Sequence, residues 1–322
     1  MATAELVREQ LLTSKEITPS QVVWNRFRKH RLALVGMGVL ILLFAFAFIG
    51  PYLSPYDPDA LFLAEPMGPI TQAHPLGSDE LGRDIMTRMM WAGRISLLLS
   101  IYVTVCSIFL GMLVGSTAGY FGGILDTILM RLVDFMLTLP LLPLLLLLSA
   151  MSLRGGLPIP VPQFLMKFFG WIWGITLDSA ENIVVLSLIL ILFGWMGTAR
   201  LVRGQALSVR NMEYMDASRA MGSSAWRMIF RQMLPNIMAP IIVAATFSFG
   251  EIIVLEAALS FVGFGVQPPS SSWGSMLNNV RDFMLVQPWR AFVPGFAIFL
   301  ASISYNFMGD ALRDALDPHL KR

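Results

Sequence analysis

The sequence predicts an all-α membrane protein of six transmembrane helices with cytoplasmic N- and C-termini. Three observations carry this expectation. Hydrophobic residues make up 56% of the chain and charged residues 14%, with a mean hydropathy of +0.67, whereas a soluble domain holds about 25% charge. The apolar residues gather in runs of about twenty, the length an α-helix needs to cross a hydrocarbon core. The charges sort by loop: Arg200, Arg203, Arg210, Arg219, Arg227 and Arg231 lie in and beside one loop, and Asp57, Asp59, Glu65, Asp79, Glu80 and Asp84 in another. Basic loops stay inside. A net charge of +2 with no basic stripe excludes a nucleic-acid partner.

Residues 1–31 are expected to form a cytoplasmic N-terminal segment. Thr18-Pro19-Ser20-Gln21 reads as a helix start, followed by Val22, Val23, Trp24 and Phe27 among Arg26, Arg28, Lys29, His30 and Arg31. That pattern suits either an amphipathic helix on an anionic lipid surface or a solvated basic flank. Both put the N-terminus in the cytoplasm.

Spans are expected at residues 32–52, 95–119, 127–149, 183–202, 237–258 and 291–311. The first lacks a small-residue cleavage site before Pro51-Tyr52 and reads as a retained anchor. Residues 32–94 thus comprise the first span and an external loop, 95–311 a five-helix core with a central loop at 203–236 and an external insertion at 150–182, and 312–322 a cytoplasmic tail.

Leu157–Leu177 is apolar enough to resemble a seventh helix. Its prolines, Lys167 and the parity of the charged loops argue instead for an external interfacial or re-entrant segment, with Trp171 and Trp173 at headgroup depth.

Within the second span, Gly111, Gly115 and Gly119 make a small-residue face for close helix packing, within the chain or across a dimer. Cys106, the only cysteine, reads as an inert core residue. Before this span, His74, Asp79, Glu80 and Asp84 offer oxygen and imidazole ligands. Gly77-Ser78-Asp79-Glu80 is better read as a turn feeding a capped helix start than as a metal site.

Catalytic signatures are absent. The four lysines, Lys15, Lys29, Lys167 and Lys321, do not follow a glycine, so no P-loop is present. No metalloprotease or serine-hydrolase signature occurs either.

Ionisable residues in spans are functional candidates by default. Asp134 and Asp310 have Arg131 and Arg313 at helical spacing and are expected to pair with them. Glu251 and Glu256 remain as candidate pathway-lining residues, with interhelical hydrogen bonding the alternative. A proton-coupled carrier acting without an ATPase would rest mainly on Glu251.

The polar interruption from Asn211 to Pro235 is expected to hold two short helices. Asn211 caps the first, Gly222 ends it in the left-handed conformation, and Ser223 or Ser224 caps the second. Ala217, Ser218 and Ala220 leave the first helix a surface without bulk, suited to a partner's groove, with Glu213, Asp216 and Arg219 at its rim.

These residues resemble the EAA loop of the membrane subunits of ATP-binding-cassette importers: E-A-A, three residues, Gly, nine residues, I-x-L-P. Asp216-Ala217-Ser218 stands for E-A-A, Gly222 keeps its spacing, and Leu234-Pro235 close the pattern. The departures are Asp for Glu, Ser218 for Ala and Gln232 for Ile. H-P-L-G-S-D-E-L-G-R-D (His74–Asp84), G-Y-F-G-G-I-L-D-T-I-L-M-R-L-V-D (Gly119–Asp134), E-A-A-L-S-F-V-G-F-G-V-Q-P-P (Glu256–Pro269) and G-D-A-L-R-D-A-L-D-P (Gly309–Pro318) are similar to the dipeptide/oligopeptide/nickel permease family, in its second-permease branch.

The resemblance implies a type I ABC importer permease fold in a bacterial or archaeal plasma membrane. It implies a homologous second permease subunit, two ATPase subunits and an extracytoplasmic solute-binding protein as partners. It implies ATPase coupling through Glu213, Asp216, Ala217, Ser218, Arg219, Gly222, Leu234 and Pro235. No cofactor is expected on this chain, ATP and Mg acting through the ATPases. Dipeptides, oligopeptides, nickel chelates and oligosaccharides are carried in the family, and the spans do not discriminate among them.

Overall fold

The computed structural model describes residues 19–155, 161–285 and 287–317. The expected cap Thr18, positions 156–160 of the insertion and the tail from Pro318 lie outside the described residues. Among the described residues the regular structure is helical: α1 (Pro19–Phe27), α2 (Arg31–Phe48), α3 (Gly50–Leu53), α4 (Ile85–Phe121), α5 (Gly123–Thr138), α6 (Leu141–Leu153), α7 (Gln163–Trp173), α8 (Leu177–Gly194), α9 (Met196–Val209), α10 (Glu213–Ala220), α11 (Ala225–Met228), a π-turn (Ile229–Met233), α12 (Leu234–Asn236), α13 (Met238–Phe261), α14 (Trp273–Asn279) and α15 (Trp289–Leu316).

Five helical segments are long and apolar enough to cross a membrane: α2, α4, α8 with α9, α13 and α15. The stretch expected as one span over 127–149 is instead two helices, α5 and α6, which are apolar enough to count as a sixth crossing only when taken together as one broken span, bent by 85°. Pro140 is the cause. The residue before a proline is driven out of the helical region, and Leu139 sits at φ −74°, ψ 136°.

Helix α4 begins ten residues before the expected span, at Ile85. Its cap is Asp84, which accepts from the Thr87 amide at 2.7 Å. Gly77–Glu80 belong to the expected turn, in which Asp79 accepts from the amides of Leu81 and Arg83, both at 2.9 Å; the correction is that the helix it feeds starts later, with Asp79 and Glu80 outside its first turn. At 37 residues the helix is about 55 Å long, longer than a hydrocarbon core of about 30 Å.

Helix α7, with 11 residues, is too short to span. Arg94 ties its end to α4, donating to the Ile172 carbonyl at 2.8 Å. Trp171 is exposed, but Trp173 is buried against Phe169, with ring centroids 4.8 Å apart. The placement at headgroup depth is corrected for Trp173, which belongs to the core formed with α4, α8 and α13.

The termini of the described chain meet. Arg26 donates to the Asp317 carbonyl at 2.9 Å, His30 lies 3.6 Å from Asp314, and Phe27 packs with Ala33, Ala311 and Ala315. The 211–235 loop shares this end of the bundle, where Tyr120 near the close of α4 reaches Met228. The acidic loop, α7 and the segment before α14 occupy the opposite end, joined by Arg88 to Ser271 and by Arg290 to the carbonyls of Gly68 and Ser78.

Candidate coupling loop and pathway

Helix α9 runs to Val209 and closes with a turn in which the Met212 amide donates to the Val209 carbonyl at 3.1 Å. Asn211 is consumed by that turn, so the expected cap is corrected: Met212 takes the N-cap position of α10 and supplies no side-chain cap. Gly222 then ends α10 at φ +79°. The Gly222 amide donates to Arg219 at 3.0 Å and the Ser223 amide to Ser218 at 3.2 Å, the paired bonds of a Schellman closure. Ser224 caps α11, accepting from the Arg227 amide at 3.5 Å.

The π-turn directly before Pro235 has a local cause. A proline has no N–H for the preceding turn, and its ring crowds the carbonyl four residues back. Widening the helix relieves that crowding, and the Leu234 amide reaches Ile229 instead.

Met215, Met228, Ile229, Met233 and Leu234 form an inner face packed on Ile108, Val202 and Ala206. Ser218 is only 2% exposed. Its hydroxyl accepts from Gln232 Nε2 at 2.5 Å and donates to Ser223 at 2.9 Å. The outer face carries Glu213, Ala217, Asp216, Arg219 and Pro235, all exposed. Asp216 and Arg219 pair at 2.8 Å.

Sequence reading missed three apolar residues on this face: Met221, Trp226 and Phe230, 80%, 61% and 41% exposed. Trp226 and Phe230 stack at 5.4 Å. The signal was present as two large aromatics one helical turn apart in a loop that does not span.

Gly111, Gly115 and Gly119 meet α9. An added Cβ at Gly111 would stand 2.6 Å from Thr198 and one at Gly119 2.5 Å from Ala206, and one at Gly115 would overlap Ala199. Two cross-helix ion pairs flank this contact: Asp126 with Arg203 and Asp134 with Arg200, both at 2.5 Å. The expected partner of Asp134, Arg131, is thus replaced by an arginine 66 positions away.

Glu256 is 1% exposed. Ser260 donates to it at 2.6 Å and Ser96 at 3.4 Å, while Ser272 bonds Ser260 and the Trp273 amide bonds Ser96. It therefore clasps α4, α13 and the start of α14. Glu251 is exposed on α13 and borders a cavity of about 60 Å³ with Thr104, Ser107 and Ser248. The Thr104 and Ser107 hydroxyls have no hydrogen-bond partner among the described residues.

At the opposite end, His74 Nδ1 lies 2.9 Å from Asp84, with the Tyr56 ring stacked on the imidazole. Among the described residues no group of three such side chains converges as a metal site.

Apolar spans joined to a compact polar loop, with a carboxylate left open in mid-span, define a polytopic membrane transport subunit. Residues 107–322 match the family described as the binding-protein-dependent transport system inner membrane component, and residues 18–72 match the N-terminal transmembrane domain of oligopeptide transport permease C. The chain belongs to the binding-protein-dependent transport system inner membrane components, the multi-pass permease subunits of ABC transporters, which leave ATP hydrolysis to partner subunits.

It is 37% identical to the dipeptide transport system permease protein DppC of Bacillus subtilis, covering 94% of this chain and 87% of that one. It is 35% identical to the glutathione transport system permease protein GsiD of Pectobacterium atrosepticum, covering 100% and 97%. It is 33% identical to the oligopeptide transport system permease protein OppC of Bacillus subtilis, covering 92% and 88%.

Proposed function

We propose that the chain is one half of the membrane pathway of an ATP-driven importer of di- or oligopeptides, and that ATPase subunits grip it at the 211–235 loop. The observation that carries the reading is the two-sided construction of that loop. Its inner face is locked into the bundle, so a push on it moves helices rather than bending a tether. Its outer face offers Glu213, Asp216, Ala217 and Arg219 beside Met221, Trp226 and Phe230, a mixed charged and apolar surface of the kind that marks an interaction site.

The printed roles of the relatives favour peptides as solute. The basic residues around the loop favour a cytoplasmic placement for it and for both termini. The partners are a homologous second permease subunit, two ATPases and an extracytoplasmic binding protein. Nucleotide and Mg bind the ATPases, not this chain. Glu251 faces the pathway, because an exposed carboxylate in mid-span cannot face lipid. Glu256 acts as an interhelical clasp.

The alternative is an ion-coupled carrier, which Glu251 would serve. Reconstitution separates the two. Uptake of a dipeptide into proteoliposomes is expected only with the sister permease, the ATPases, the binding protein and ATP together. Full uptake by this chain alone, driven by an ion gradient, would overturn the proposal.

A further inference from the structure

The end of the bundle opposite the 211–235 loop holds a cavity of about 200 Å³. Separate segments wall it: the acidic loop at Asp57 and Asp59, the first turns of α4 at Arg88 and Trp91, the end of the insertion at Thr176, and the stretch before α14 at Ser271. Such convergence of distant segments is typical of ligand sites. Its volume is below the roughly 300–1,000 Å³ of sites that engulf a drug-sized ligand, so it admits a small molecule or one end of a longer one.

Arg88 decides which chemistry fits. It is 4% exposed. Its Nη2 donates to Ser271, and its Nε lies 3.6 Å from Asp79. Its Nη1 has no hydrogen-bond partner among the described residues, the closest acid there being Asp59 at 3.9 Å. A buried guanidinium N–H without a partner is costly, and a carboxylate is the group whose geometry matches it. Asp59 is a weak competitor for that position: its side chain is 49% exposed, and burial pushes its carboxyl up, with Arg88 pulling it down and Asp57 adding to the rise.

We infer that this cavity is a subsite for the terminal carboxylate of a small peptide, received by Arg88 Nη1 with Trp91 as its apolar wall. Asp57 and Asp59 at the rim favour zwitterionic over dianionic solutes by simple charge repulsion. The inference rests on the reading of the chain as a peptide importer subunit. The same carboxylate chemistry could come from an acidic side chain of the binding protein, and the test separates the two sources.

The purified permease–ATPase complex in lipid nanodiscs, without binding protein, is titrated with glycyl-phenylalanine and with its C-terminal amide. The free acid is expected to bind at least about tenfold more tightly, the scale of a charge-assisted hydrogen bond, and Arg88→Gln is expected to erase the difference. Asp59→Asn removes the competing carboxylate and is expected to tighten binding of the acid several-fold, which a purely structural Arg88 would not produce. This variant keeps the test decisive where Arg88→Gln fails to fold.

Equal affinity for acid and amide overturns the subsite. So does absence of dipeptide binding combined with weakened binding-protein association in Arg88→Gln, which would assign the pocket to the binding protein. ATP-driven dipeptide uptake by the unaltered assembly reports separately on the importer reading. Uptake that persists without carboxylate dependence sinks the subsite alone.

Discussion

Ser218 and Gln232 are two places where the loop departs from the pattern it resembles, and they touch: Gln232 Nε2 donates to the Ser218 hydroxyl at 2.5 Å. A polar residue in a packed loop needs a partner, so one departure accounts for the other. Ser218→Ala would strand the Gln232 amide, whose Oε1 already lacks a hydrogen-bond partner among the described residues. The expected cost is about 1–3 kcal/mol. Ser218→Ala with Gln232→Ile replaces both groups by apolar ones and is expected to recover most of that loss. Thermal unfolding of the purified complex measures this, and a double variant no more stable than Ser218→Ala would refute the coupling. Gly222 is a different case. Among the described residues, chain neighbours apart, no atom lies within 4 Å of a Cβ built there, yet φ is +79°, so substitution is limited by backbone conformation and not by space. Gly222→Asn is expected to keep ATPase co-purification and uptake near the starting level. Gly222→Val, strained by about 1–2 kcal/mol in the left-handed region, is expected to lose both while still inserting in the membrane. The spacing of Gly222 was legible in the sequence, because a helix stop has a local chemical signature. The Ser218–Gln232 contact was not, since it joins positions 14 apart across two helices whose mutual angle no local pattern specifies.

Among the elements, α4 and α9 make the tightest demand on side-chain size. Gly115→Leu would drive a branched side chain into the α9 backbone at Ala199, and overpacking typically costs about 1–3 kcal/mol or more. The expected outcome is a sharp fall in the yield of monodisperse protein from detergent; unchanged yield and melting temperature would show that the helices part easily. The break between α5 and α6 invites a second measurement. With Pro140→Ala the restriction on Leu139 is lifted, and a label near the start of α5 should move away from one near the end of α6, as a spin-label distance would record. An unchanged distance would mean that packing against α8 and α9 imposes the bend by itself. Element existence was readable because a crossing needs about twenty apolar residues. The break was not, because hydropathy is blind to backbone direction and the run around Pro140 is apolar on both sides. The partner of Asp134 was misjudged for a related reason: helical spacing exposes Arg131, whereas Arg200 becomes a neighbour only when α5 meets α9.

Across the whole molecule, the arrangement of ends follows from contacts. The N- and C-terminal helices are joined at Arg26–Asp317 and His30–Asp314, on the same side as the 211–235 loop. The insertion and acidic loop lie on the other. The single cysteine makes this testable: in a Cys106→Ser background, a cysteine at position 224 is expected to be shielded from an impermeant maleimide in intact cells, and one at position 162 to react. Reaction at 224 would reverse the topology. Charge segregation is what the expected sidedness rests on, whereas burial of Trp173 was hidden because an interfacial tryptophan and a core tryptophan read alike in one dimension. The uninterrupted length of α4 has a mechanical consequence. It is held at one end by Arg88–Ser271 and Ser96–Trp273 and at the other by Tyr120–Met228, with no proline between. A rod of about 55 Å tilted by about 10° carries one tip roughly 10 Å relative to the other. With no proline along its shaft to absorb the stroke, α4 is expected to carry a torque on the loop to the far end of the bundle, turning on its glycine contact with α9.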